Sequence, residues 1–490
     1  MSGLPDAVRS ASPPNPVRLV ILWIGLGLAR VGLIDEERVR RTTDLAWPRI
    51  LTGLARMSKS AADIAMVGIA VGSSAIAGVG FAGPYWGATF TLGGGLAAGT
   101  IALVSQRYGA EAFEELGQAV RSSVVLVLAV TLPVAALYWL VPTRLVGLLS
   151  SDAEAVRLGA TYLKVVALGV PFAGLNLIGS RALIGADDAW TPMVVRAGGA
   201  AVNIGLNAVF IFGLEMGVVG AAWGTVLSNV VVTGVFAAGM AAGRLPGVGA
   251  FPVTVSPRGR WVDAATIRDL VRIGLPVVGR NGVWTVSRFP MLALVGSFGS
   301  TVVAAYVISR RIWGLMNTPG WGFGLAASSL VGQALGANEE DLAETYGREV
   351  VLFSVATYVV AAAVVLVFAE PIVVAFVGDA TDPTVDVAVP LVYAACISVV
   401  FQGVTSGVAG ALDATGDTRW PFYSRALGMF GLAIPLTYLG TVTSLGVAAL
   451  YLAYLAQTLV PAAINQYRFS TGAWKAISRE FRPDAAPSQD

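Results

Sequence analysis

The chain is written twice. Pro48 opens PRILTGLARMSKSAADIAMVG and Pro276 opens PVVGRNGVWTVSRFPMLALVG, and both runs close on Val-Gly, at Gly68 and Gly296. Trp86 answers Trp313, and LGGGLAAGTIALVSQRYGA (92–110) answers PGWGFGLAASSLVGQALGA (319–337) through paired glycines, Leu-Val-x-Gln and Gly-Ala. GADDAWTPM (185–193) answers ATGDTRWPF (414–422) through Asp188/Asp417 and Pro192/Pro421. The offset stays within 227 to 229 residues from end to end, which an apolar sequence of few residue types does not give by chance. Whatever the first half folds into, the second half must fold into as well.

The repeated unit is a set of membrane spans. Hydrophobic residues make up 56% of the 490 and charged residues only 13%, against roughly 25% charged in soluble domains. Apolar runs fall near 48–71, 76–104, 120–142, 157–183, 192–213 and 218–242, then near 270–296, 301–332, 349–368, 387–411, 421–440 and 445–465. Each reaches the roughly 20 residues a helix needs to cross a ~30 Å hydrocarbon core. The expected fold is an all-α polytopic membrane protein with twelve transmembrane helices in two six-helix bundles. Six is even, so both halves insert in one orientation, related by a pseudo-twofold axis along the membrane normal. The boundaries expected are an N-terminal extension (1–47), a first lobe (48–242), a linker rich in Gly, Pro and Arg (243–265), a second lobe (266–466) and a tail (467–490).

Charge in the connections sets the topology. GSSA (72–75), GSFGS (296–300) and TVTS (441–444) are uncharged, and their side of the membrane offers little beyond Arg144 and Arg157. The other side has Arg107, Arg181, Arg244, Arg258, Arg260, Arg268, Arg419, Arg468 and Arg479. The positive-inside rule therefore puts both termini in the cytoplasm; the membrane expected is a prokaryotic plasma membrane. Residues 17–34 form a thirteenth apolar segment, short and carrying Arg18 and Arg30. No cleavage site follows it, and a helix lying at the cytoplasmic interface is expected.

Several kinds of chemistry are excluded. Cys396 is the only cysteine and there is no histidine, so intrachain disulfides, histidine catalysis and histidine metal sites are out. A net charge of +2 offers no surface for nucleic acid. No nucleophile–base pair or metal cluster is visible, so an enzyme is not expected. The partners expected are lipid and a small molecule, with the chain a monomer.

Within the twelve spans, Asp63 is the only acidic residue far from an end. Ionising it in hydrocarbon costs about 2.5–3.5 kcal/mol even on the lenient insertion scale, so it must face a cavity, be paired or be protonated. Lys59 stands four residues earlier, on the same helix face. Burial disfavours the charged carboxylate and the lysine favours it. A carboxyl so balanced can change protonation when the protein changes shape, which a proton carrier needs. A plain intramembrane salt bridge is the structural alternative, as is a snorkelling Lys59 that leaves Asp63 alone. The second lobe instead bears Arg280, Arg288, Arg310 and Arg311 in or near spans seven and eight, with Gln402 on span ten. They fit either a basic cavity that accepts an anionic group, or arginines satisfied by backbone carbonyls beside Asn281, Asn317, Gln333 and Gln402.

RALIGADDAWTPM…NIGLNAVFIFGLEMGVVGAAWGTVLSN (181–229), GLAASSLVGQALGA and GALDATGDTRWPFY resemble signatures of the multidrug and toxic compound extrusion (MATE) family, a likeness that runs over residues ~45–465. It looks nearest to the archaeal and DNA-damage-inducible branches. The resemblance implies two lobes in a V and drug efflux driven by H⁺ or Na⁺, and Asp63 falls where those branches carry a first-helix acid. Their second acid, in a pattern like N-x-x-x-D-P, is replaced here by Asn203, Asn207 and Ala208 in NIGLNA. A single exchangeable proton is the simpler expectation.

The function expected is efflux of amphipathic, cationic organic compounds in exchange for H⁺ by alternating access, without cofactor. Asp63 would be the coupling acid, with Lys59, Asn176, Asn203 and Asn207 around it. Sodium at the same carboxylate remains an alternative. So do a lipid-linked oligosaccharide flippase, favoured by the second-lobe arginines, and a non-transporting scaffold. In Gly416-Asp417-Thr418-Arg419 the glycine is expected to turn the chain and Asp417 to cap the next helix.

Overall fold

The computed structural model describes residues 15–150 and 152–483. Asn15 accepts the Val17 amide at 2.9 Å and opens α1 (Pro16–Arg30), and Asp35 caps α2 (Glu36–Val71) through the amides of Glu37 and Arg38. The first lobe continues with α3 (Ser73–Gly109), α4 (Phe113–Leu140), the short α5 (Pro142–Gly147), α6 (Ala153–Val166), a 3₁₀ turn (Ala167–Gly169) and α7 (Val170–Gly185). It ends with α8 (Trp190–Ala208), which runs on into a π turn (Val209–Gly213), and α9 (Gly217–Ala242). A two-stranded hairpin, β1 (Arg244–Leu245) with β2 (Gly249–Ala250), begins the linker. The second lobe is α10 (Ala264–Val286), α11 (Arg288–Gly296), α12 (Ser300–Met316), α13 (Thr318–Gly336), α14 (Glu340–Val367), α15 (Ala369–Val377), α16 (Pro383–Thr415), α17 (Arg419–Ala426), a π turn (Leu427–Ala433), α18 (Ile434–Val442), α19 (Ala448–Ser470) and α20 (Trp474–Arg479).

The duplication extends to backbone detail. The left-handed residues Glu111 (φ 57°) and Asn338 (φ 61°) stand at corresponding turns, as do Gly72 (105°) and Gly299 (98°), and Gly217 and Gly446 (both 53°). Both lobes carry a π turn in the corresponding helix, a form most often kept where function needs it. Two second-lobe spans expected as single runs are instead broken, at Ser287 between α10 and α11 and at Asn317 between α12 and α13. Pro290 in the first turn of α11 and Pro319 in that of α13 explain both breaks, since proline fits a helix start far better than its interior.

Nine helical runs among the described residues are long and apolar enough to cross a membrane. The three spans that fall short lie in α2, α10–α11 and α12–α13. Their polarity has a cause: α2 and α10 pack against helices of the other lobe, and α13 packs against both α2 and α3. A helix that faces protein does not need a fully apolar circumference.

The lobes meet along one half of their length. Gly95 leaves room for Val278, Gly99 for Leu270 and Gly322 for Ala46 and Ile50. At the extreme end Gly109 lies against the Gln333 carbonyl and Gly336 against the Gln106 carbonyl, one contact repeated across the pseudo-twofold. Ser329 donates to the Ile184 carbonyl (2.6 Å) and Gln106 to the Ala414 carbonyl (2.6 Å), closing this end. Toward the other end, Gly80, Gly83 and Gly87 on α3, with Gly282 and Gly314 opposite, border open space. The result is a V-shaped cleft, sealed at the end that holds Arg107, Arg181 and Arg419.

The segments outside the lobes are docked. α1 is about 22 Å long, too short for a ~30 Å core, and lies along the part of α2 before Pro48, with Arg18 on Asp44 (2.9 Å) and Gly25 against Val39 and Phe353. The linker buries Phe251 and Val253 in the first lobe and is held by Arg121, which donates to the carbonyls of Ser256 and Arg260. The tail seats Phe481 over Gly416 and ties Arg479 and Arg482 to Glu340.

Candidate functional site

Asp63 sits two turns before the end of α2, on the face turned to α8. Its Oδ2 lies 2.7 Å from Lys59 Nζ, and its Oδ1 accepts Asn207 Nδ2 at 2.8 Å. Asn207 Nδ2 also faces Asn203 Oδ1 at 3.4 Å, and Asn203 Nδ2 donates to Thr225 Oγ1 at 3.3 Å, so the chain runs from α2 through α8 to α9. Helical spacing makes this possible: 59 and 63 stack on one face of α2, and 203 and 207 on one face of α8. The Asp63 and Lys59 side chains keep 16% and 22% exposure, whereas both asparagines are fully buried.

Both carboxylate oxygens of Asp63 receive donors, which is how an ionised carboxylate is held. Each oxygen takes one donor, from Lys59 and from Asn207. Asn207 has little freedom to move alone. Its Oδ1 is buried without a partner and lies where a side chain on Gly224 would come within 1.9 Å. A π turn begins two residues on from Asn207, at Val209, a form frequent at functional sites.

Asn176 is not brought to Asp63. It donates to Asn229 Oδ1 (2.9 Å) and accepts from Thr233 (2.8 Å) between α7 and α9, and reaches the asparagine chain only through Asn229 and Thr225.

The second lobe departs from both readings of its arginines. Arg280 makes a two-pronged contact to Asp413 (2.7 and 3.0 Å), a carboxylate that lies inside α16 and is buried. Arg310 lies over the rings of Trp284 and Trp313 and faces Gln457 Oε1 at 3.4 Å. Arg425 stacks on the same Trp284 at 4.9 Å and donates to the Gln457 carbonyl and to Gln402 Oε1. Arg288 and Arg311 are exposed and do not join this cluster. Asn317 and Gln333 serve other groups, Tyr358 and the Gly185 carbonyl.

Sequence reasoning missed Asp413, Arg425 and Gln457. Asp413 lies just past the end of an apolar run, which hides it, and the available signal for Arg425 is its place inside one. Asp417 is also corrected: it accepts Arg468 Nε at 2.6 Å, and only its counterpart Asp188 caps a helix, through the Thr191 amide. Arg181, expected in a cytoplasmic connection, is buried within α7.

Comparison with known proteins places this architecture. The MatE family profile matches residues 48–209 and 276–439, one match per repeat. A probable multidrug resistance protein NorM of Bradyrhizobium diazoefficiens is 27% identical over 456 residues, covering 90% of this chain and 95% of that one. Multidrug resistance protein PmpM of Pseudomonas aeruginosa is 27% identical over 83% of this chain and 85% of its own. Among solved structures, a MATE in the bent conformation aligns with a TM-score of 0.82 at 20% identity, covering 96% of this chain and all of that one. An outward-facing multidrug resistance MATE transporter aligns at 0.78 and 21%, covering 90% and 96%. Two matched repeats, twelve spans in two lobes and a shared cleft leave one conclusion: the chain is a multi-pass membrane protein of the MATE family.

Proposed function

We propose that the protein is a secondary multidrug efflux antiporter of a prokaryotic plasma membrane, exporting amphipathic cationic compounds in exchange for protons. The observation that carries this reading is the Asp63 carboxylate, held by Lys59 and Asn207. The similarity to multidrug resistance proteins supports the substrate class. The arginine-rich sealed end is cytoplasmic by the positive-inside rule, so the cleft described here opens outward.

In this cycle a proton enters from outside and neutralises Asp63. Lys59 then loses its charged partner and the hydrogen bond from Asn207 weakens, which frees α8 and its π turn to move against α2. Substrate binding favours the deprotonated arrangement and protonation the other, so each displaces the other from one state. Exchange follows from that competition, without any group that binds both at once.

The test is efflux of a fluorescent cationic dye from proteoliposomes under an imposed pH or sodium gradient. Wild type should respond to the pH gradient, and Asp63→Asn, isosteric and unable to titrate, should fold yet lose gradient-driven efflux. An Asp63→Asn protein that still pumps under the pH gradient would sink the assignment. A response to sodium alone would replace the coupling ion.

A further inference from the structure

A second polar feature lies closer to the seal and takes no part in the Asp63 chain. Arg49 and Arg56 on α2, Arg181 on α7 and Arg196 on α8 gather in one region, near enough that Arg49 feels the charge of the other three. Arg49 and Arg196 share a small cavity with Thr52 and Ser180. Among the described residues none of the four makes a hydrogen bond or an ion pair. Arg49 Nε and Arg181 Nη1 are fully buried without any partner. The remaining contacts are aromatic: Arg49 and Arg56 lie over the Trp321 ring of the second lobe, at 5.6 and 5.4 Å.

Other buried arginines behave differently. Arg121 is tied to two carbonyls, Arg280 to Asp413, and Arg425 to a carbonyl and an amide oxygen. Guanidinium stays charged at any physiological pH; Arg56 is exposed, but Arg49 and Arg181 each bury a nitrogen without a partner, with Arg196 beside them, and that calls for an anion. A carboxylate supplies one charge and two oxygens. A phosphate supplies up to two charges and more oxygens, and matches two guanidinium forks at once.

We infer that Arg49, Arg181 and Arg196, with Arg56 at the rim, form a binding site for a phosphate group. The cavity in this state measures about 10 Å³, room for a water and not for phosphate. One wall of the region is Trp321, with Thr318 facing Gly53 beside it, both on the opposite lobe. The cavity itself is lined by the first lobe alone, and Trp321 of the opposite lobe lies against Arg49 and Arg56. Two sources carry this chemistry, a phospholipid headgroup and a phosphate-bearing small molecule.

The probes are inorganic phosphate and phosphatidylglycerol. Purified delipidated protein is melted in phosphate and in chloride at matched ionic strength, and native mass spectrometry compares retention of phosphatidylglycerol with that of an uncharged glycolipid. Wild type should gain thermal stability with rising phosphate, or hold the phospholipid selectively. Arg196→Lys, which keeps the charge and loses the fork, should weaken the effect, and Arg49→Gln/Arg196→Gln should abolish it. Exposed Arg288→Gln should leave it intact. A phosphate shift without lipid retention assigns a small-molecule phosphate, and retention without a shift assigns the headgroup. If wild type shows neither, or Arg196→Lys responds as wild type does, the site does not exist. Dye efflux through Asp63 is a separate readout, so either proposal can fail without the other.

Discussion

The two lobes place the same pair of helices together and fill the contact with opposite chemistry. In the first lobe Asp63 meets Asn207 across α2 and α8, with Thr225 behind. At the corresponding place in the second, Met291 on α11 takes the position of Asp63 and receives the Thr437 hydroxyl at 3.6 Å from α18. Lys59 has Ser287 as its counterpart, at the break between α10 and α11, and Gly224 has Ala453. The seal, in contrast, is chemically symmetric: Gln106 and Gly109 answer Gln333 and Gly336 in a reciprocal contact. Duplication supplied one backbone twice. Symmetry persisted where the lobes press on each other, because each partner of a reciprocal contact constrains the other. It lapsed in the lobe interiors, where no reciprocal contact ties one copy to the other.

The largest expected asymmetry is in stability. Arg280→Met leaves Asp413 buried and charged with no partner, and removing one member of such a pair costs about 3–5 kcal/mol. Arg280→Met/Asp413→Leu should recover most of it, since apolar replacement of both members is often neutral. In the first lobe Lys59→Met should cost clearly less, because Asp63 keeps Asn207 and its partial exposure. Thermal unfolding of the three variants in one detergent decides this. Equal losses for Lys59→Met and Arg280→Met would mean that the first-lobe pair is as structural as the second.

The seal should respond symmetrically. Gly109→Ala and Gly336→Ala each drive a methyl into a carbonyl oxygen, at 1.9 and 1.8 Å, an overpacking worth about 1–3 kcal/mol against the closed contact. Both should loosen the sealed end to a similar degree. The measurement is labelling of a cysteine introduced at Ser329 in a Cys396→Ala background. Loosening by one variant and not the other would break the reciprocity.

These contrasts mark what the sequence could and could not convey. Spans and repeat were legible because hydropathy and a fixed offset report them directly. Asp63 with Lys59 was legible because a helix fixes which residues share a face. Asp413 and Arg280 lie 133 residues apart, and no periodicity reports a pairing between helices. The breaks at Ser287 and Asn317 were hidden inside continuous apolar runs, although Pro290 and Pro319 were their trace. The four unpartnered arginines lie on three helices, and each alone reads as a basic residue near a span end.

The smallest expected effect on stability is also the sharpest test of the comparison. Gly224→Ala installs the second lobe's residue in the first. Alanine favours a helix over glycine by about 1 kcal/mol, which offsets part of the crowding, so the melting temperature should move little. The new methyl nevertheless occupies the space of Asn207 Oδ1, 1.9 Å away. Asn207 must withdraw from Asp63 while the carboxylate and its lysine stay in place. If the Asn207 hydrogen bond is what ties protonation to helix movement, pH-driven efflux falls while dye binding persists. If Asp63 needs only Lys59, efflux is unchanged, and the asparagines are packing. Gly224 separates these outcomes better than any substitution of Asn207 itself, because it leaves every polar group of the chain present and alters only where one of them can lie.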